Sequence, residues 1–248
     1  MRSEVDILNV ALIDGFRAAE QMLDPSDQYA LDDFSADGPD RPVSLHARAC
    51  KDTLLSLSPG ISVSHYSVPH PLHRQPQLQD MVPLFAKLAA SATSVGIRLV
   101  CVPQSDGSNR RNDDALQSLE LSDAIARLRQ QGILTVAAAG NYFRAGRRRL
   151  CQGMGAPAIL RNVISVGAHS EGALTRHTQR LALPGPCRTT VFAPAAPPGG
   201  TSGAAAYVTG RLAAAVMSGA TGEQALEQML ASASHRTDCQ GTDWPMIG

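Results

Sequence analysis

Four residues scattered through the 248-residue chain carry side chains that, brought together, would perform acyl transfer: Asp14, His46, Asn141 and Ser202. A hydroxyl is a poor nucleophile until an imidazole takes its proton. The imidazole needs a carboxylate to hold one tautomer and stabilise its cation, and the tetrahedral oxyanion needs a hydrogen-bond donor. Each of the four residues also has an ordinary reading. In "PPGGTSGAAAYVTGRLAAAVMSG" Thr201 or Ser202 stands where a side-chain oxygen caps the first turn of a helix. Asp14 suits a turn, His46 a surface helix start, and Asn141 after Gly140 a turn with positive φ. A nucleotide-binding reading of "GGTSG" is weak, because the segment comes late and lacks a phosphate-loop lysine.

The elements that would position these residues follow from the apolar pattern. "VDILNVALIDG" reads as a buried strand with Asp14 at its carboxyl edge, and "SLHARACKDTLLSL" as a helix with Ser44 as N-cap and His46 in its first turn. "ISVSHYSV" alternates as a strand. "LQDMVPLFAKLAASATSVG" is helical and runs into the strand "IRLVCVPQ" and the polar loop "SDGSNRRNDD". "ALQSLELSDAIARLRQQG" is an amphipathic helix closed by Gly132, and "ILTVAAAGN" is a strand ending at Gly140 and Asn141. "NVISVGA" and "TTVFAP" follow as strands, then the Ser202 helix and a helix near "GEQALEQMLASAS". This alternation predicts an α/β fold in three layers, a mostly parallel sheet with helices on both faces, as one domain over residues 1–248. Ligands in such sheets collect at the carboxyl ends of strands, where Asp14 and Asn141 lie, facing the helix starts of His46 and Ser202.

Composition narrows the partners. The 22 basic and 22 acidic residues cancel, so no global field favours nucleic acid or an anionic membrane. The longest wholly apolar runs fall far below the roughly 20 residues of a membrane span, and the N-terminus has acidic residues where a signal peptide is cationic and then apolar. The cysteines at 50, 101, 151, 187 and 239 are odd in number and lack C-x-x-C pairing, which suggests reduced thiols in a cytoplasmic setting. His65, His70 and His73 cluster among prolines, a weak pattern for metal, and no metal or organic cofactor is expected.

The order Asp, His, Ser, together with the segments around them, resembles the subtilisin-like serine proteases, the subtilases. "VALIDG" is similar to the family's strand ending in the catalytic aspartate, and the step from Asp14 to His46 is close to the family's usual spacing. "AAAGN" is similar to the segment that supplies the oxyanion asparagine, "GMGAPAILRNVISVGA" to the stretch after it, and "VFAP" with "GGTSGAAAYVTG" to the strand and nucleophile helix. The resemblance spans roughly residues 5 to 235. It implies catalytic roles for Asp14, His46 and Ser202, an oxyanion role for Asn141, and substrate contacts at Gly140, Gly200 and Thr201. It also places Ser105, Asp106 and Gly107 at the pocket for the residue before the cut, where Asp106 would either pair with a substrate Arg or Lys or stand as a solvated loop aspartate.

Three departures stand out: Gly15 and Phe16 directly after the aspartate, Ala47 and Arg48 after the histidine, and Ala206 and Tyr207 where the family commonly has proline and histidine. Neither signal peptide nor inhibitory prodomain is visible, so the expectation is either a trimmed catalytic domain or a small intracellular endopeptidase. Such an enzyme would process a dedicated precursor peptide, with a tethering domain or pathway partner to restrain it. The rival expectation is a subtilase-fold module with little or no turnover that binds a peptide or partner protein.

Overall fold

The computed structural model describes residues 7–18, 44–70, 78–116, 120–143, 152–182, 187–238 and 241–248. Nine strands form one sheet: β1 (Asn9–Ala18), β2 (Ser62–His70), β3 (Ile97–Val102), β4 (Leu134–Ala138), β5 (Val163–Ser170), β6 (Ala173–Leu174), β7 (Val191–Pro194), β8 (Ser234–Thr237) and β9 (Asp243–Met246). Their order is β2-β1-β3-β4-β5-β7-β9-β8, with β6 paired to β5. Every pair along this path is parallel except β8 with β9.

Parallel neighbours need crossovers, and helices supply them on both faces. Within β1 the side chains alternate. Ala11 and Ile13 join the core under α2 (Val82–Ser91) and α3 (Glu120–Gln130), while Val10 and Leu12 join the core under α1 (Leu45–Leu57), α4 (Gly200–Met217) and α5 (Gly222–Ala231). The sheet thus has an apolar layer on each side, as the alternation of strand and helix predicts. A third cluster of Phe192, Trp244 and Met246 buries the β7–β9 edge, with the Phe192 and Trp244 rings edge to face at 5.2 Å.

The helices that carry His46 and Ser202 lie on the same face and touch. At Gly210 a Cβ would come within 2.9 Å of Leu57, so the missing side chain lets α4 close onto α1. Ser58 Oγ donates to the Gly210 carbonyl at 2.9 Å, and Thr53 Oγ1 donates to the Pro197 carbonyl at 2.7 Å, joining α1 to the turn that enters α4. The spacing between the two functional helices is therefore set by packing and by two buried or part-buried hydrogen bonds.

β1 differs from its predicted form. The strand does not end at Asp14 but runs on to Ala18 beside β2, with the register slipping between Ile13↔Tyr66 and Phe16↔Val68. One extra residue on β1 makes a bulge there, and pairing with β3 has already stopped at Leu12↔Cys101. A bulge bends the strand and re-aims a side chain, so Asp14 leaves the ladder without the strand ending.

Candidate active site

Asp14 is buried at this bulge, and both of its carboxylate oxygens are occupied. Oδ2 lies 2.7 Å from His46 Nδ1, and Oδ1 accepts from Gln104 Nε2 at 2.7 Å. The Asp14 carbonyl lies 2.8 Å from His65 Nε2 and is an acceptor, so that ring nitrogen carries the hydrogen. His46 stands in the first turn of α1, which begins because Ser44 Oγ accepts the Ala47 N–H at 2.9 Å, the cap anticipated from the sequence. Beside a carboxylate acceptor Nδ1 must be the donor, which leaves Nε2 as the basic nitrogen. The hydrogen bond to Asp14 raises the imidazole pKa above its ordinary value, partial burial opposes this, and the Asp14 charge adds to the rise.

Ser202 is the third residue of α4, the helix that packs against α1. The cap reading of this turn does not hold: the N-cap is Gly199, with φ 99° and no side-chain cap bond. Asn141 satisfies the turn from outside. Its Oδ1 accepts both the Thr201 N–H at 3.0 Å and the Thr201 hydroxyl at 3.2 Å, while Thr201 Oγ1 accepts the Gly140 N–H at 3.2 Å. The first intrahelical bond runs from Gly203 N–H to the Gly199 carbonyl at 3.1 Å. Between these two satisfied groups, the Ser202 N–H has no partner among the described residues, as expected for a first-turn donor. The same anchoring of Oδ1 leaves the Asn141 amide Nδ2 as its outward group. Gly200 has φ 57°, and a Cβ on it would stand 2.7 Å from Asn141 Oδ1, so the Asn141–Thr201 clamp requires glycine there.

Of the predicted substrate-contacting residues, Gly200 and Thr201 sit in this turn, and Gly140, just after β4, donates to Thr201 Oγ1. Ser105 Oγ packs against Gly155 and near Gly140, with Gly107 beyond it beneath the exposed Tyr142 ring. For Asp106, read as either a partner for a substrate Arg or Lys or a solvated loop aspartate, the carboxylate is held within its own loop. Oδ1 accepts from Ser108 N at 3.0 Å, Ser108 Oγ at 2.6 Å and Ala156 N at 2.9 Å, and Oδ2 accepts from Arg110 at 3.3 Å. The exposure of this residue belongs to its backbone; its side chain is 13 % exposed. A carboxylate already engaged by four donors stitches its loop to the 156 segment and offers little to a ligand.

Sequence reasoning did not anticipate Gln104, His65 or Tyr142 as site residues. Gln104 carries a signal only once the strand order is known, since it follows β3 and β3 lies next to β1. Of the flanking departures, Ala47 is buried while Arg48 points to solvent, and Ala206 is buried in the core beneath α4. Tyr207 Oη accepts from Arg211, which also donates to the Gly248 carbonyl, so this change is tied to the packing of α4 against the final residues.

Asp14, His46 and Cys50 bring an oxygen, a nitrogen and a sulfur within 4.8 Å of one another. Burial pushes the Cys50 thiol pKa up, against the thiolate that a metal would need, while Asp14 and His46 already bond each other. Cys50, Cys101 and Cys187 are free thiols, and Cys151, Cys239 and His73 lie outside the described residues. No helix among the described residues is long and apolar enough to cross a membrane.

A search of curated proteins found no match. Among solved structures, the chain is similar to the prenylagaramide maturation protease PagA (TM-score 0.63, 19% identity, covering 98% of this chain and 89% of that chain). It is also similar to the nisin leader peptidase NisP from Lactococcus lactis (TM-score 0.62, 17% identity, 99% of this chain and 86% of that one). Sphericase is a third (TM-score 0.62, 19% identity, 91% and 83%). At these identities the likeness is one of fold. The model of the subtilase family matches residues 86–242, the stretch that holds β3, Asn141 and the Ser202 helix. The chain belongs to the subtilase family and is a subtilisin-like serine peptidase.

Proposed function

We propose that the protein is an endopeptidase working through Ser202, His46 and Asp14, with Asn141 as oxyanion donor, and that its substrate is a dedicated precursor peptide processed in the cytoplasm. The observation that carries this reading is the 2.7 Å bond from His46 to the buried Asp14, which leaves Nε2 as the base on the side of the imidazole away from the carboxylate.

The peptide enters along Ser105, Asp106 and Gly107, with Gly140, Gly200 and Thr201 forming the floor beneath the scissile bond. Asp106 contributes its backbone there, its side chain being spent within the loop. His46 Nε2 takes the Ser202 proton as Oγ attacks the peptide carbonyl, and Asp14 stabilises the imidazolium. The Ser202 N–H and Asn141 Nδ2 receive the oxyanion, assisted by the positive end of α4. The imidazolium then protonates the leaving amine, and water attacks the acyl-enzyme by the reverse of the same path. No metal or organic cofactor enters this scheme.

Support for a precursor peptide comes from the fold neighbours, which include a prenylagaramide maturation protease and a nisin leader peptidase. The test is fluorophosphonate labelling of the parent and of Ser202→Ala, followed by cleavage profiling on a peptide set. Labelling of the parent alone, with cleavage confined to a narrow group of peptides, is the expected result. Equal labelling of both proteins sinks the nucleophile assignment, and broad cleavage sinks the dedicated substrate.

A further inference from the structure

We propose that Gln104 is a positioning residue of the active site, holding the Asp14 carboxylate in its working orientation and tempering how strongly Asp14 draws a proton onto His46. The proposal rests on reading Asp14 and His46 as the charge-stabilising pair of the triad.

Strand topology brings the amide to the carboxylate. β3 pairs with β1 as far as Leu12↔Cys101, and Asp14 is then released by the β1 bulge. The chain leaving β3 at Val102 passes this point, which sets Gln104 alongside Asp14. Its Nε2 donates to Oδ1 at 2.7 Å while Oδ2 bonds His46 Nδ1 at 2.7 Å. With one short charge-assisted bond on each oxygen, the carboxylate loses both by rotating.

The amide's other end reveals its purpose. Gln104 Oε1 is buried and has no hydrogen-bond partner among the described residues. Turning the amide over would set Oε1 against Asp14 Oδ1, two acceptors facing each other, so the charge on Asp14 dictates the orientation and leaves the orphan. A buried acceptor without a partner is costly. Leucine would fill similar space without that cost, and what it would lack is the bond to Asp14.

The other titratable groups near this pair do not supply such a donor to Oδ1 among the described residues. His65, from β2, bonds the Asp14 backbone carbonyl. Cys50, from α1, and Cys101, from β3, are thiols held neutral by burial, Cys101 with its pKa pushed up to about 12. A donor on Oδ1 stabilises the charged carboxylate and weakens it as an acceptor for His46. Removing that donor lets His46 hold its proton to higher pH.

The test uses the full chain as parent, Gln104→Leu and Gln104→Met. The His46 ring is titrated by NMR on histidine-labelled protein and assigned with His46→Gln, and the pH profile of fluorophosphonate labelling is measured alongside. Gln104→Leu is expected to raise the His46 midpoint by about one pH unit and to slow labelling by about tenfold at pH values below both midpoints. Gln104→Met, a second uncharged side chain that cannot donate to Oδ1, raises the midpoint likewise and covers the case in which the leucine variant does not fold. Midpoints equal to the parent in the folded variants overturn the proposal, even if labelling slows, because Gln104 would then be only a wall of the cleft. The titration reads His46 whether or not Ser202 reacts, so a parent that takes no label refutes the peptidase mechanism without deciding Gln104.

Discussion

The two walls of the candidate site, one carrying Asp14 and His46 and the other Ser202, are held in different ways. On the base side, a bulged strand and the first turn of α1 present Asp14 and His46, held by hydrogen bonds among side chains around a buried charge: Gln104 to Oδ1 and His46 to Oδ2. On the side of Ser202, the proposed nucleophile, the turn is held by the Asn141 and Thr201 side chains bonding backbone N–H groups and by close fit, Gly200 against the Asn141 side chain and Gly203 against the Ala196 carbonyl. The first wall is tuned by electrostatics and responds to pH. The second combines hydrogen bonds to Asn141 with steric fit, tightest at Gly203.

The largest expected effect breaks the base side. Asp14→Asn keeps the shape but loses the charge, and kcat should fall by about 10⁴-fold. The sign of its pH effect follows from the causes acting on His46. The hydrogen bond and charge of Asp14 raise its pKa while burial lowers it, so the variant imidazole titrates below its ordinary value. The base must be neutral to act, so activity in the parent rises as pH passes the raised value, and in the variant the acid limb moves to lower pH. A pH profile of the residual rate checks both statements.

Asn141→Ala should lower kcat by about 10²- to 10³-fold through the oxyanion and leave the acid limb where it is, because Asn141 does not touch His46. A shifted limb would mean that the two walls are not separable in this way. Gly203→Ala tests steric intolerance. An added Cβ overlaps the Ala196 carbonyl, and since backbone cannot swing aside like a side chain, unfolding should be easier by about 1–3 kcal/mol, measured by denaturant titration. The smallest effect belongs to the link between the walls. Thr53→Val removes the bond to the Pro197 carbonyl and should cost about 1 kcal/mol, with little change in the pH profile.

Much of this architecture is legible in the order of residues alone. The alternation of apolar runs with amphipathic stretches implies the parallel sheet and its two helical layers, and Ser44 announces the start of α1 three residues before the N–H it caps. Local chemistry suffices for such features, since capping and periodicity depend on neighbours within a turn. The surroundings of Asp106 are only partly legible, for the converse reason. Arg110, four residues on, is within local reach, but nothing local says that the Ala156 N–H will join it on the same carboxylate, because residue 156 lies in the connection between β4 and β5. The final hairpin, with Trp244 buried against Phe192, is likewise invisible in the pattern, since a single tryptophan in a short polar stretch gives no period to read.

By itself the sequence determined the residue types, their order along the chain and the elements that hold them, because helix caps, strand periodicity and turn residues act over short separations. Tertiary structure alone decided three further things: that β1 bulges at Asp14 instead of ending there, that β3 lies next to β1 and delivers Gln104 to the second carboxylate oxygen, and that Gly199 rather than a hydroxyl begins the Ser202 helix. Each depends on which distant segments become neighbours. That choice is made by burying two apolar faces of one sheet, and no short stretch of chain encodes it.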